Sequence, residues 1–168
     1  IEEFEILPGV IEGLRLLQDA GYLLIVVTNQ SGIARGYYTE QDFRILTEWM
    51  IERFKTMGIQ IAEVYYCPHL PNAPIPMYRK ICRCRKPGTA LYERAVKKFH
   101  IDLSKSYAIG DKIRDCSICE KTDCRGFLTG TKEESKVIEA VREGKYRYVQ
   151  YEEDLYACAL RICEEGER

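Results

Sequence analysis

An α/β fold with a doubly wound parallel sheet is predicted by three features of the chain. Short apolar runs alternate with helix-length amphipathic segments. The clearest run, in "YLLIVVTNQSG", is apolar until it ends in small polar residues, as a parallel strand buried on both faces reads. Residues able to carry chemistry gather directly after such runs, where ligands bind in open α/β sheets. With 168 residues, the chain is long enough for one domain with a real core.

Val10, Leu14 and Leu17 share one helical face, with Pro8 ahead of it and Gly21 as the stop. The strand "LLIVV" follows. Thr39 and Asp42 make a capping-box-like start, and Phe43, Leu46, Met50 and Phe54 mark an amphipathic helix. The strand "AEVYY" then runs into a cysteine-rich loop. Beyond it the pattern predicts a helix near 89–99, the strand "SYAIGD", a short helix and the strand "GFLT". A helix near 133–143, a weak strand "YRYV" and a last helix near 152–164 complete the chain. No repeat, low-complexity segment or linker interrupts it.

Composition excludes several classes. A net charge of −1 and a pI near 6.2 provide no basic footprint for nucleic acid or an anionic membrane. No apolar run is long enough to span a bilayer as a helix. The eight cysteines cluster with His, which favours metal binding in a reducing compartment over a disulfide framework. A cytoplasmic monomer is expected.

Three strand ends carry the candidate chemistry. In "YYCPHLPNAPIPMYRKICRCRKPG", Cys67 and His69 form one closely spaced pair and Cys82 and Cys84 another. Three thiolates and an imidazole suit tetrahedral zinc, and four protein ligands make such a site closed and structural. The spacer, with Pro71, Pro74 and Pro76, has little reason to fold alone, so a metal joining its ends would remove most of its freedom. Arg85 and Lys86 follow directly, placed to hold a phosphate or simply forming a solvated basic patch.

Thr28 ends the strand in "VVTNQSG", where a hydroxyl and free N–H groups can bind phosphate oxygens, although the composition is also that of an ordinary turn. Asp111 ends "YAIGD", with Asp115 a helical turn later. A carboxylate there suits Mg²⁺ or, equally, a helix N-cap.

Together these motifs resemble the haloacid dehalogenase superfamily of phosphohydrolases, and within it the bacterial heptose bisphosphate phosphatases. The likeness runs from "FEILPGVIEGLRLL" through "VVTNQSGIARGYYTEQDF" and "TEWM" to "YYCPH", "CRCRKP" and "HIDLSKSYAIGDK". It implies a Rossmann-like fold without a large cap domain, residues 1–168 forming a single phosphatase domain. It further implies that Thr28 and Lys86 act on the phosphoryl group and that Asp111 binds Mg²⁺. Asn29, Gln30, Ser31, Arg85, Lys86 and Lys112 would contact a small sugar phosphate, and Cys67, His69, Cys82 and Cys84 would hold structural zinc.

The family's Asp-x-Asp-Gly-Thr strand, which bears the aspartate nucleophile and the acid/base of an aspartyl-phosphate mechanism, does not occur in these 168 residues. A chain truncated at its N-terminus is therefore expected, with a gap of roughly two strand spacings between "LLIVV" and "YAIGD". Two other functions share the remaining residues: a histidinol-phosphate-type phosphatase, typically with a shorter zinc loop, and a non-catalytic, zinc-stapled sugar-phosphate-binding module. Cys116, Cys119 and Cys124, where relatives tend to have small residues, suggest small buried side chains on a helix ahead of a second metal site.

Overall fold

A computed structural model describes residues 1–166. Helix α1 spans Val10–Asp19, β1 Leu24–Asn29, α2 Ser31–Ala34, α3 Glu40–Thr56 and β2 Ile61–Cys67. After the cysteine loop come α4 (Ala90–Phe99), β3 (Tyr107–Gly110), a 3-10 helix (Ile113–Glu120) and β4 (Arg125–Thr129). Helix α5 (Ser135–Arg142), β5 (Val149–Glu152) and α6 (Leu155–Gly166) follow. The capping box of α3 is present in full, Thr39 Oγ1 accepting from the Asp42 N–H at 3.1 Å and Asp42 Oδ2 accepting from the Thr39 N–H at 2.8 Å.

All strand pairs are parallel, but they form two sheets, β1–β2 and β3–β4–β5. The Gln30 N–H donates to the Cys67 carbonyl. By the period of two in a parallel ladder, Val26 and Thr28 also address β2, so the backbone of Ile25 and Val27 faces away from it. On β3 the Ser106 carbonyl accepts from Arg125, which leaves Tyr107 and Ile109 facing away from β4. Among the described residues, β1 and β3 thus each keep one edge outside any ladder.

A common core nonetheless joins the two sheets. On one face Leu24, Phe127, Leu17 of α1, Phe54 of α3 and Ile162 of α6 pack together, with Tyr107 and Ile109 against them. On the other face Ala108 and Leu128 meet the 3-10 helix, α5 and Tyr92 of α4. Neighbouring residues of β3 and β4 serve opposite faces, as a strand covered by helices on both sides must. No helix among the described residues is long and apolar enough to cross a membrane.

Two expectations need correction. The weak strand lies at Val149–Glu152, not over "YRYV", because Val149 is the residue that enters the core while Tyr146 and Val149 close a turn. The polar tail of β1 is more than a turn: it leads into α2, whose Ile33 and Ala34 are fully buried. Cys116, Cys119 and Cys124 are buried at 1%, 0% and 2% exposure beside β3 and β4, and they form no metal-binding group among the described residues.

Candidate functional site

The carboxyl ends of β1, β2 and β3 and the loops after them hold the candidate residues. Cys67 is the last residue of β2 and fully buried. One donor atom each from Cys67, His69, Cys82 and Cys84 lies within 4.8 Å of the others. Cys84 Sγ is 3.2 Å from that of Cys67 and 3.3 Å from that of Cys82, and His69 Nδ1 is 3.2 Å from Cys84 Sγ. Around a tetrahedral ion with bonds of about 2.0–2.3 Å, neighbouring ligand atoms stand roughly 3.3–3.8 Å apart. The cluster fits such an ion, with Nδ1 as the histidine donor. Burial, then the adjoining Cys84 thiol, pushes the Cys67 thiol up, so its thiolate form would need a cation beside it. Burial and then Lys80 hold the His69 imidazole below its usual value, which keeps a lone pair available.

The spacer between the ligand pairs is better ordered than its prolines suggest. Arg79 donates to the carbonyls of Ala73 at 2.6 Å and Pro74 at 3.2 Å, and the Leu70 N–H donates to Tyr78 O. Glu40 fastens this loop to the scaffold. Its carboxylate accepts from Tyr66 of β2 at 2.6 Å and from Tyr78 at 2.9 Å, and those hydrogen bonds hold its pKa below the usual range.

Lys86, two residues beyond the cluster, is not part of a solvated patch. It is 8% exposed, and its Nζ lies 2.6 Å from Asp115 Oδ1 while donating to the Val27 carbonyl at 2.7 Å. Asp115 also accepts from the Lys112 N–H at 3.0 Å and thereby opens the 3-10 helix. Asp111 is therefore not the cap: that position falls on Lys112, whose N–H is held by Asp115 from within the first turn. The sequence contained the signal, since a lysine destined for burial needs a nearby carboxylate. Gly110 permits this packing, because a Cβ there would stand 2.2 Å from that of Asp115.

Thr28, at the tip of β1, accepts from Gln30 Nε2 at 3.0 Å, and Gln30 Oε1 in turn accepts from Tyr38 OH at 2.6 Å. With one lone pair taken, the Thr28 hydroxyl is free to donate, its contact with Asn29 O being long at 3.5 Å. The Tyr38 ring lies so close over Gly32 that a Cβ would meet it at 2.3 Å.

Other expected substrate contacts are engaged elsewhere. Both amide atoms of Asn29 bond the Lys86 backbone. Lys112 Nζ bonds Lys132 O and lies 3.6 Å from Glu133. Arg85 makes one long contact, 3.5 Å to His69 O, and stays half-buried with Ser31. Asp111 has a 44% exposed side chain 3.2 Å from Lys132 Nζ. It offers one hard oxygen donor group, which suits a Mg²⁺ ion that shares its coordination with substrate and water.

Against known proteins, residues 83–155 match the HAD-hydrolase-like family model. The D-glycero-alpha-D-manno-heptose-1,7-bisphosphate 7-phosphatase of Photorhabdus laumondii is 42% identical over 132 residues, covering 78% of this chain and 72% of that protein. The D-glycero-beta-D-manno-heptose-1,7-bisphosphate 7-phosphatase of Haemophilus ducreyi is 46% identical over 121 residues, 71% of this chain and 66% of its own length. The chain thus matches about two thirds of these relatives. The crystal structure of D,D-heptose 1,7-bisphosphate phosphatase from B. bronchiseptica, complexed with magnesium and phosphate, superposes with a TM-score of 0.79 at 27% identity. That superposition covers 98% of this chain and 87% of that one. The chain belongs to the heptose-1,7-bisphosphate 7-phosphatase family of HAD-like hydrolases.

Proposed function

We propose that this chain supplies the phosphate-holding part of a Mg²⁺-dependent phosphatase that removes the 7-phosphate from D-glycero-D-manno-heptose 1,7-bisphosphate. The observation that carries the reading is the buried Lys86 ammonium, fixed between the Val27 carbonyl and Asp115 at the open side of β1. A buried, oriented cation is worth far more to a phosphoryl group gaining charge than one in water. The Thr28 hydroxyl, oriented by Gln30 and Tyr38, donates to a phosphoryl oxygen. Asp111 would hold Mg²⁺, which supplies charge neutralisation at the phosphoryl oxygens when bound. Ser31 and Arg85 would contact the sugar and its second phosphate, Gln30 being held by Thr28 and Tyr38 and Lys112 by Lys132 and Glu133. The cysteine–histidine cluster holds zinc and keeps the chain leading to Lys86 in place.

None of these residues is a competent nucleophile. Thr28 has no base beside it among the described residues, Asp115 is tied to Lys86, and His69 is spent in the cluster. We assign the attacking carboxylate and the acid/base to an Asp-x-Asp-Gly-Thr strand seated between the open edges of β1 and β3. The test is direct. The 168-residue chain with Mg²⁺ should release no phosphate from the bisphosphate, and joining it to such a strand should restore turnover. Changing the first Asp of that strand to Asn should abolish turnover again. Hydrolysis by the 168 residues alone at an ordinary enzymatic rate, about 1 s⁻¹ or faster, would refute the assignment.

A further inference from the structure

We infer that Asn29 is a positioning residue: its amide sets where the Lys86 ammonium stands, and it does not serve as a substrate contact. The inference rests on the phosphoryl role proposed for Lys86 but stands on its own geometry. Asn29 Nδ2 donates to the Lys86 carbonyl at 3.1 Å, and Asn29 Oδ1 accepts from the Lys86 N–H at 2.9 Å. A carboxamide making both bonds to one residue copies the paired bonds of a sheet ladder, and the two together fix the plane of the side chain. The partners lie 57 positions apart in the chain. The clamp therefore ties the tip of β1 to the chain emerging from the metal cluster.

The lysine side chain then turns back to the same strand. Its Nζ reaches the carbonyl of Val27, two residues before Asn29 and on the same open edge. Asn29 side chain, Lys86 backbone, Lys86 side chain and Val27 carbonyl make a closed ring of contacts. A lysine stem is flexible and its ammonium alone is a poor locator. Within the ring, the height of that ammonium along β1 is set by an anchor two residues further up. A slip of one residue, about 3.3 Å, would break both the bond to Val27 and the pair with Asp115.

The decisive measurement follows the Lys86 ammonium itself, in the 168-residue chain labelled with ¹⁵N-lysine. Its resonance is identified by its loss in Lys86→Met. In Asn29→Ala we expect that resonance to shift and broaden, and Lys86 to be reductively methylated about tenfold faster or more, as loss of two part-buried hydrogen bonds implies. Asn29→Asp keeps the acceptor for the Lys86 N–H and loses the donor, so it should fall between. It also serves if the alanine variant fails to fold, with the Phe127 amide signal reporting the fold in each case. An unchanged Lys86 resonance and methylation rate in both variants, with weaker binding of inorganic phosphate, would overturn the inference and make Asn29 a ligand contact. The role of Lys86 is tested separately, by turnover of Lys86→Met in the strand-completed protein. That result can fail while the clamp stands, and the reverse.

Discussion

Two corners of this molecule are suited to metals, and they are built on opposite terms. At the end of β2 four donors, all supplied by the chain, converge within 4.8 Å. At the end of β3 one carboxylate, Asp111, faces solvent with Lys132 as its partner. A site meant to keep its metal brings the whole coordination sphere from the chain. A site that shares its metal with a substrate brings one or two oxygens and leaves the rest open. On the function we propose, the first corner would be architecture and the second would exchange its metal.

The largest effect should come from emptying the first corner. Purified protein should contain one zinc per chain, and Cys82→Ser should lose it. We expect a stability loss of at least about 3 kcal/mol, a modest part of the ~10–16 kcal/mol that zinc supplies to small folded peptides. Amide exchange should show residues 67–86 opening while α5 and β4 stay protected. Zinc-free protein with an unchanged exchange pattern would mean that the spacer's own hydrogen bonds suffice, and the contrast between corners would collapse.

The next test sets Asp111 of the second corner against Asp115, its part-buried neighbour in the chain. Asp115 and Lys86 have side chains only 12% and 9% exposed, so Asp115→Asn strands a buried ammonium. Urea unfolding should register a cost of about 3–5 kcal/mol. Replacing both partners with apolar residues should cost less than the single change, because no charge is then left alone. Equal costs would show that the pair is not energetically coupled.

Asp111→Asn should be the mildest for stability, at most about 1 kcal/mol, because its bond to Lys132 is exposed. Its effect belongs to binding. Calorimetric titration with Mg²⁺ should show weakened affinity, while Lys132→Ala, removing the competing ammonium, should strengthen it a few-fold. If Asp111→Asn left Mg²⁺ affinity intact, the metal would have to bind elsewhere.

Much of this is legible in the order of the amino acids alone. Four soft ligands in two tight pairs have few other uses, so the cluster declares itself locally. The Thr39–Asp42 cap and the strand that begins at Leu24 follow from patterns within a single turn or strand, although beyond Leu24 that strand is only half-buried. What escapes such a reading depends on contacts between distant segments. Nothing in "TNQSG" says that Asn29 reaches Lys86, or that Gly32 lies beneath the Tyr38 ring. The slip of β5 has the same origin: Val149 is selected by the core cluster it enters, a preference that "YRYV" alone does not carry. The position of Asp115 is readable in principle, but only by asking where a buried Lys86 would find its counter-charge.

Gly110 shapes how this sequence can drift. An alanine there differs from glycine by one methyl group, yet that carbon would stand 2.2 Å from the Asp115 side chain. The substitution could be accepted only if Asp115 moved, and Lys86 with it. The three positions therefore behave as a single inherited character: descendants of this chain are expected to retain all of them together or to have abandoned all of them. Relatives sorted by the residue at position 110 should separate into two such groups, with few sequences between.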